Sequence, residues 1–157
     1  MTQKKKKVNK QKELKKLIEK ADDAFQMMIR YRDNFKCITC GRQFPFGERT
    51  LLHAGHFISR VHKSTRWDEQ NVHAQCAKCN LMQSRGSIYT IHSYEKALKS
   101  LYGEEIVEEL IQRSRQVHKP SVIELEQIIQ DSKEFIEQKK NEYRQGKDIL
   151  EGEDLGC

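Results

Sequence analysis

No apolar run in this chain approaches the roughly 20 residues needed to span a bilayer. The lysine-rich N-terminus lacks the apolar stretch and small-residue cleavage site of a secretory signal. No internal repeat is visible, so a repeat architecture is not expected. At 157 residues the chain has room for one domain and a helical appendage, and little more. Together these absences lead to the expectation of a soluble protein in the cytoplasm, with no membrane partner.

Charge is what the sequence has in excess. Charged residues make up 33% of it, against roughly 25% in an ordinary globular protein. Residues 1–20 hold nine Lys against two Glu, and residues 33–92 hold eight Lys or Arg against four Asp or Glu. Residues 93–157 reverse the balance, with ten basic and fifteen acidic side chains. Positive charge on the N-terminal arm and the central segment is the pattern expected of parts that face a polyanion. The acidic C-terminal part suits packing or self-association better.

Helical periodicity frames the chain on both sides. Leu14, Leu17, Ile18, Ala21, Phe25, Met28 and Ile29 recur at helical spacing within residues 10–32. Before them, residues 1–9 read as a flexible basic arm. Lys4, Lys5, Lys6 and Lys7 there are open to two readings, a solvated tail or a DNA-contacting arm. In residues 36–92 the periodicity stops, turn residues appear, and short alternating stretches at 51–57 and 66–72 predict strands. Helical patterns return over residues 93–146. Ser93 is placed to cap a short helix that stops at Gly103, and a second follows with Ile106, Val107, Leu110 and Ile111 on one face. Ser121 and Glu124 then form a capping-box signature for a long helix ending at Gly146, with Leu125, Ile128, Ile129, Phe135 and Ile136 as its apolar face. Residues 147–157 read as a disordered tail.

Four of the five cysteines form two Cys-x-x-Cys pairs, Cys37 with Cys40 and Cys76 with Cys79, separated by 35 residues. Each pair puts two thiolates on a tight turn, and two such turns complete a tetrahedral zinc site. Disulfides are the competing reading, disfavoured in a reducing cytosol. A four-thiolate site has no open position, so this zinc is structural. Cys157 is a leftover thiol with no expected role.

Between the cysteine pairs stand His53, Gly55 and His56, then Asn71 and His73, with Asn80 just after the last cysteine. A histidine on a first strand, an asparagine about 15 residues on, and a terminal His or Asn after Cys-x-x-Cys outline an HNH nuclease motif. The fold class this implies is α+β: a small zinc-stapled ββα-metal module flanked by an N-terminal helix (10–35) and C-terminal helices. Neutral imidazole can take a proton from water, and Mg²⁺ or Mn²⁺ can stabilise a leaving oxygen. His56 fits the general base and Asn71 the residue that pins its loop. Asn80 fits a ligand of the catalytic cation, or else caps the helix after the second cysteine pair. His62, His92 and His118 are read as bystanders.

Ala54-Gly55-His56-Phe57, then the run from Thr65-Arg66-Trp67-Asp68-Glu69 through Asn71-Val72-His73, Gln75-Cys76 and Cys79-Asn80, then Gly86 and Tyr89, resemble the phage NinG (Rap) recombination endonuclease family. The likeness covers about residues 30–115 and is weaker in the last helix. It implies a phage protein acting in a bacterial host cell, cleaving branched DNA such as D-loops and Holliday junctions during recombination. Many HNH enzymes carry a metal-binding Asp directly before the base, where this chain has Gly55. His53 and His73 are the candidates for the missing ligand, and imidazole suits Mn²⁺ better than Mg²⁺. Arg60, Lys63 and Arg66 lie beside the motif as candidate phosphate contacts, although Arg66 could instead pair with Asp68. Two other readings stay open: an HNH endonuclease of ordinary duplex, and a non-catalytic zinc-stapled DNA-binding module. Paired cuts on a symmetric junction would need two copies of the chain, with the acidic helices after Ser93 as the expected contact.

Overall fold

Ala21, Phe25, Met28 and Ile29 lie on one buried face of the first helix, α1 (Thr2–Arg32), in the computed structural model, which describes residues 2–152. The helix reaches back to Thr2, so residues 2–9 continue it rather than fraying. Lysine is a good helix former, and no Gly or Pro precedes residue 10 to break the pattern. Asn34 and Phe35 end it in left-handed conformations (φ 49° and 55°), with the Phe35 amide donating to the Arg30 carbonyl. That turn drives the Phe35 ring into the core beside Tyr31, Phe44 and Leu52.

Two antiparallel strands follow, β1 (Leu52–His56) and β2 (Val72–Cys76), paired from Leu52 opposite Cys76 to His56 opposite Val72. The second strand begins where the alternation predicted it to end. Residues 66–71 turn instead, because Asp68 accepts from the Gln70 amide through its side chain and from the Asn71 and Val72 amides through its carbonyl. Strand β2 runs straight into α2 (Ala77–Ser84), whose N-cap is Cys76, with its sulfur accepting from the Cys79 amide. Asn80 lies inside this helix, so it does not cap it.

Helix α3 (Ile88–Tyr102) starts five residues before the expected Ser93 cap and stops at Gly103 (φ 102°). It packs on α4 (Ile106–Ser114) through Tyr94, Leu98, Ile106 and Leu110, with Phe57 and Ile58 against them. The predicted capping box forms: the Glu124 amide donates to Ser121 Oγ (3.1 Å), and the Ser121 amide donates back to the Glu124 carboxylate (3.4 Å). Helix α5 (Val122–Gly152) then lies along α1, burying Leu125 and packing Ile128, Phe135 and Ile136 against α1 and the sheet. It passes through Gly146, since one glycine costs only about 1 kcal/mol in a helix. The helix therefore occupies part of the segment read as a tail; residues 153–157, with Cys157, lie outside the described residues. No helix among the described residues is long and apolar enough to cross a membrane.

Gly55 is where the sheet tolerates least change. A Cβ there would lie 2.2 Å from Gln75 Oε1, and Gln75 is fully buried on the partner strand. The Gln75 amide nitrogen donates to Thr39 Oγ1 and to Gln83 Oε1, both at 2.8 Å, so it cannot swing away freely. Gly55→Ala should therefore destabilise the protein by about 1–3 kcal/mol, the range for overpacking a core. Adding Gln75→Ala should make the double variant less than additive in urea unfolding; strict additivity would show that the two positions do not collide.

Candidate functional site

The four paired cysteines come together. Their sulfurs all lie within 4.8 Å of one another, with Cys40 Sγ 3.9 Å from Cys76 Sγ. A disulfide needs about 2.05 Å, whereas a tetrahedron with Zn–S bonds of about 2.3 Å has sulfur–sulfur edges of about 3.8 Å. The cluster thus fits a four-thiolate zinc site and not a pair of crosslinks. Backbone amides support the sulfurs as they would thiolates: Cys76 N donates to Cys37 Sγ (3.2 Å) and Cys79 N to Cys76 Sγ (3.4 Å). Burial, and then the neighbouring sulfurs, push the Cys79 thiol well above the usual range. That is the cost of gathering four thiols without a cation to offset their charge.

On the other side of β1 an open cavity of about 990 Å³ runs between α1, α2 and the α3–α4 pair. His53, His56, Asn80 and Gln83 line it with Arg30, Arg49 and Arg60, and among the described residues no Asp or Glu does. His56 Nε2 lies 2.9 Å from the Arg66 carbonyl. A carbonyl only accepts, so Nε2 carries the proton and Nδ1 is left as the acceptor. Burial lowers the His56 pKa below the ordinary imidazole value, against the opposing pull of that hydrogen bond. The ring is therefore neutral at physiological pH.

The scaffold around His56 is tightly tied. Asn71 is fully buried, and its amide accepts from Ile58 N (2.6 Å) and donates to the carbonyls of Ile58 (2.9 Å) and Thr65 (2.8 Å). It clamps both ends of the loop that carries the Arg66 carbonyl. Tyr94, reaching in from α3, donates its hydroxyl to the Gly55 carbonyl (2.8 Å), and Gln83 Nε2 donates to the His56 carbonyl (2.8 Å).

Other sequence candidates divide into those the fold gathers here and those it does not. His53 and Asn80 meet, with Asn80 Nδ2 3.2 Å from His53 Nδ1. His73 is not among the cavity residues. It is buried between Tyr102, 2.9 Å from Nε2, and Tyr94, 3.3 Å from Nδ1, and burial, with help from Arg32, pushes its pKa down to about 3. Arg66 pairs with Asp22 of α1, not with Asp68, which binds Arg113. Arg60 shares the same Asp22 carboxylate (2.9 Å), and the Trp67 indole also donates to it (3.1 Å). Lys63 lines a different depression, beside Trp67 and His118.

Asp22, Tyr94, Gln83, Arg30 and Arg49 carry much of this arrangement, and sequence reasoning did not single them out. Asp22 alone left a trace, as a carboxylate next to Ala21 on the apolar face of α1. Purified protein should contain one zinc per chain, and stripping it should unfold the hairpin, since metal binding here is also folding free energy. Elemental analysis showing no zinc, with disulfides found by mass spectrometry, would overturn that assignment.

A family model described as Bacteriophage Lambda NinG protein matches residues 1–142 of this chain. Protein ninG of Escherichia phage 933W is 32% identical over 95 residues, which is 59% of this chain and 43% of that relative. Protein ninG of Enterobacteria phage VT2-Sa matches over the same shares at the same identity. The match thus spans less than half the length of these relatives. No solved structure matches the chain. With the family model covering most of its length, the chain belongs to the NinG family.

Proposed function

We propose that this protein is a metal-dependent DNA endonuclease of the HNH type that hydrolyses phosphodiester bonds in branched DNA during phage recombination. The observation that carries the reading is His56: a neutral ring with Nε2 anchored on the Arg66 carbonyl, lining a cavity with Arg30, Arg49 and Arg60. Strands β1 and β2 and helix α2 follow one another in the order expected of an HNH module, with His56 on β1, Asn71 just before β2 and Asn80 on α2.

In the proposed reaction Nδ1 of His56 removes a proton from water, which attacks phosphorus while the ester oxygen leaves. The Arg66 carbonyl holds the ring in the needed tautomer and stabilises the imidazolium that forms. Asn71 is a positioning residue, because it fixes the loop and touches no substrate. A divalent cation would be held beside His53 and Asn80: His53 Nε2 lies against the Thr50 carbonyl (3.2 Å), which leaves the Nδ1 lone pair facing Asn80, where it accepts from the amide nitrogen. Turning the Asn80 amide over would bring its oxygen to that same point. Such an ion would supply charge neutralisation at the leaving oxygen, and one imidazole with one amide suits Mn²⁺ better than Mg²⁺.

The lack of any carboxylate in the cavity favours a second reading, a zinc-stapled DNA-binding module without catalysis. Action on ordinary duplex is the alternative within the enzyme class. Incubating the protein with a four-way junction and a matched duplex, with Mn²⁺ or Mg²⁺, separates all three. His56→Ala should lose about 10²–10⁴ in rate while still binding DNA. Asn80→Ala should also be impaired, with partial recovery in excess Mn²⁺. The neutral ring is the active form and its pKa is lowered, so activity should persist below the ordinary imidazole pKa of about 6.5 and fall only as pH drops further. Cutting by His56→Ala at the wild-type rate would remove the base assignment, and no metal-dependent cutting by wild type would leave the binding module.

Paired cleavage of a junction also leads us to propose a homodimer on DNA. The acidic helices keep apolar side chains for such a contact, with Leu101 on α3 and Val122 and Ile123 on α5 exposed. Sedimentation on a junction should find two chains per DNA; a single chain would remove the idea.

A further inference from the structure

We propose that Arg30 and Arg49 form a phosphate-binding site in the cavity, which seats a backbone phosphate of the bound strand beside His53 and His56; this rests on the nucleic-acid reading above.

Arg30 is the observation that demands an explanation. It projects from α1, is only 8% exposed, and lines the cavity. Its Nε donates to the Leu52 carbonyl (2.6 Å), while NH1 has only the Met27 sulfur at 3.8 Å. Among the described residues it forms no ion pair with a carboxylate. The arginines around it are matched: Arg60 and Arg66 by Asp22, Arg32 by Asp33, and Arg113 by Asp68. A buried charge is normally paired, because taking it out of water is costly.

The surroundings worsen the imbalance. Burial, then the nearby Arg49 charge, lower the Arg30 pKa, and Asp23 and Glu48 counter this only from a distance. Glu48 is moreover occupied, its Oε1 accepting from the amides of Thr50 (2.6 Å) and Leu51 (2.9 Å). Arg49 is exposed and forms no ion pair among the described residues. With no Asp or Glu among the described lining residues, Arg30 and Arg49 leave room for an external anion. A guanidinium fork matches the two free oxygens of a phosphodiester, and its planar donors suit phosphate better than a lysine would. Arg60 and Arg66 are both held by Asp22, whereas Arg30 and Arg49 have no carboxylate partner among the described residues, so this pair takes the anion-binding role.

The test uses the full chain and a fluorescent four-way junction, with Ca²⁺ in place of the catalytic ion and anisotropy read across a salt series. Arg30→Met and Arg49→Gln should each weaken binding about tenfold, as loss of a hydrogen bond to a charged group does. Each should also flatten the slope of log affinity against log salt by about 0.9, one phosphate's share. Arg144→Gln on α5 should change neither. Arg49→Gln alters an exposed side chain and keeps the test valid should Arg30→Met fail to fold. If wild type cuts DNA while both variants keep its slope and affinity, the phosphate site is wrong and the nuclease reading stands. If the variants lose slope and affinity but wild type never cuts, the site stands and the nuclease reading falls. If wild type binds no DNA, both fall.

Discussion

Four sulfurs drawn within 4.8 Å of one another tie the turn after α1 to the junction of β2 and α2, and the cavity depends on that knot. A two-stranded hairpin of five-residue strands is marginal by itself. Here the first cysteine turn pairs with the hairpin, the Ile38 amide donating to the Ala74 carbonyl (2.8 Å). Thr39, between the first two cysteines, accepts from Gln75; Gln75 donates also to Gln83; and Gln83 donates to the carbonyl of His56. The cysteine cluster and the proposed base thus belong to one hydrogen-bonded frame.

The loop between the strands is held from the opposite direction. Asn71 closes it from within, and Asp22 grips Arg60, Arg66 and Trp67 from α1. Asp22 is 9% exposed and Arg66 is nearly as buried, so losing the acid would strand the Arg66 cation, while Arg60 reaches the same carboxylate from the surface. The cluster fixes the backbone at Arg66, whose carbonyl sets the tautomer of His56. It also holds the basic residues nearest the site on one shared carboxylate, whereas Arg30 and Arg49 have no carboxylate partner among the described residues. Where cations sit in sequence and where net positive potential sits in space are therefore different questions.

That difference marks the limit of what the sequence disclosed. The cysteine site was legible because zinc imposes a spacing on short turns, and Ser121 with Glu124 because a capping box is local. Helix α1 was legible in its apolar period, and only its start was misplaced. The second strand was misread because Asp68 satisfies three backbone amides and holds residues 66–71 in turns, a side-chain effect that alternation does not register. His73 resembled a ligand in sequence, yet two tyrosine hydroxyls from α3 occupy both ring nitrogens. Tyr94 and Tyr102 lie more than 20 residues away, so no local pattern announces them. Arg30 was hidden for the same reason: its burial and its lack of a carboxylate are facts of packing.

Gly55 joins these strands of argument. In an HNH site an acidic residue there would help hold the cation, but Gln75 Oε1 fills the space a side chain would need. That oxygen is buried without a hydrogen-bond partner in the structure, so the packing is not free. What it secures is the Thr39–Gln75–Gln83 link between the cysteine turn and the carbonyl of His56. A frame built this way offers a cation only His53 and Asn80, too few ligands to hold a hard cation without further oxygen atoms. Under the proposed reaction the missing negative charge would come from the DNA phosphate, and the same phosphate would relieve the repulsion between Arg30 and Arg49. Cation and nucleic acid would then each raise the affinity for the other by the same factor, as linkage requires. A cavity without carboxylates is on that account consistent with catalysis, provided that substrate and cation bind together.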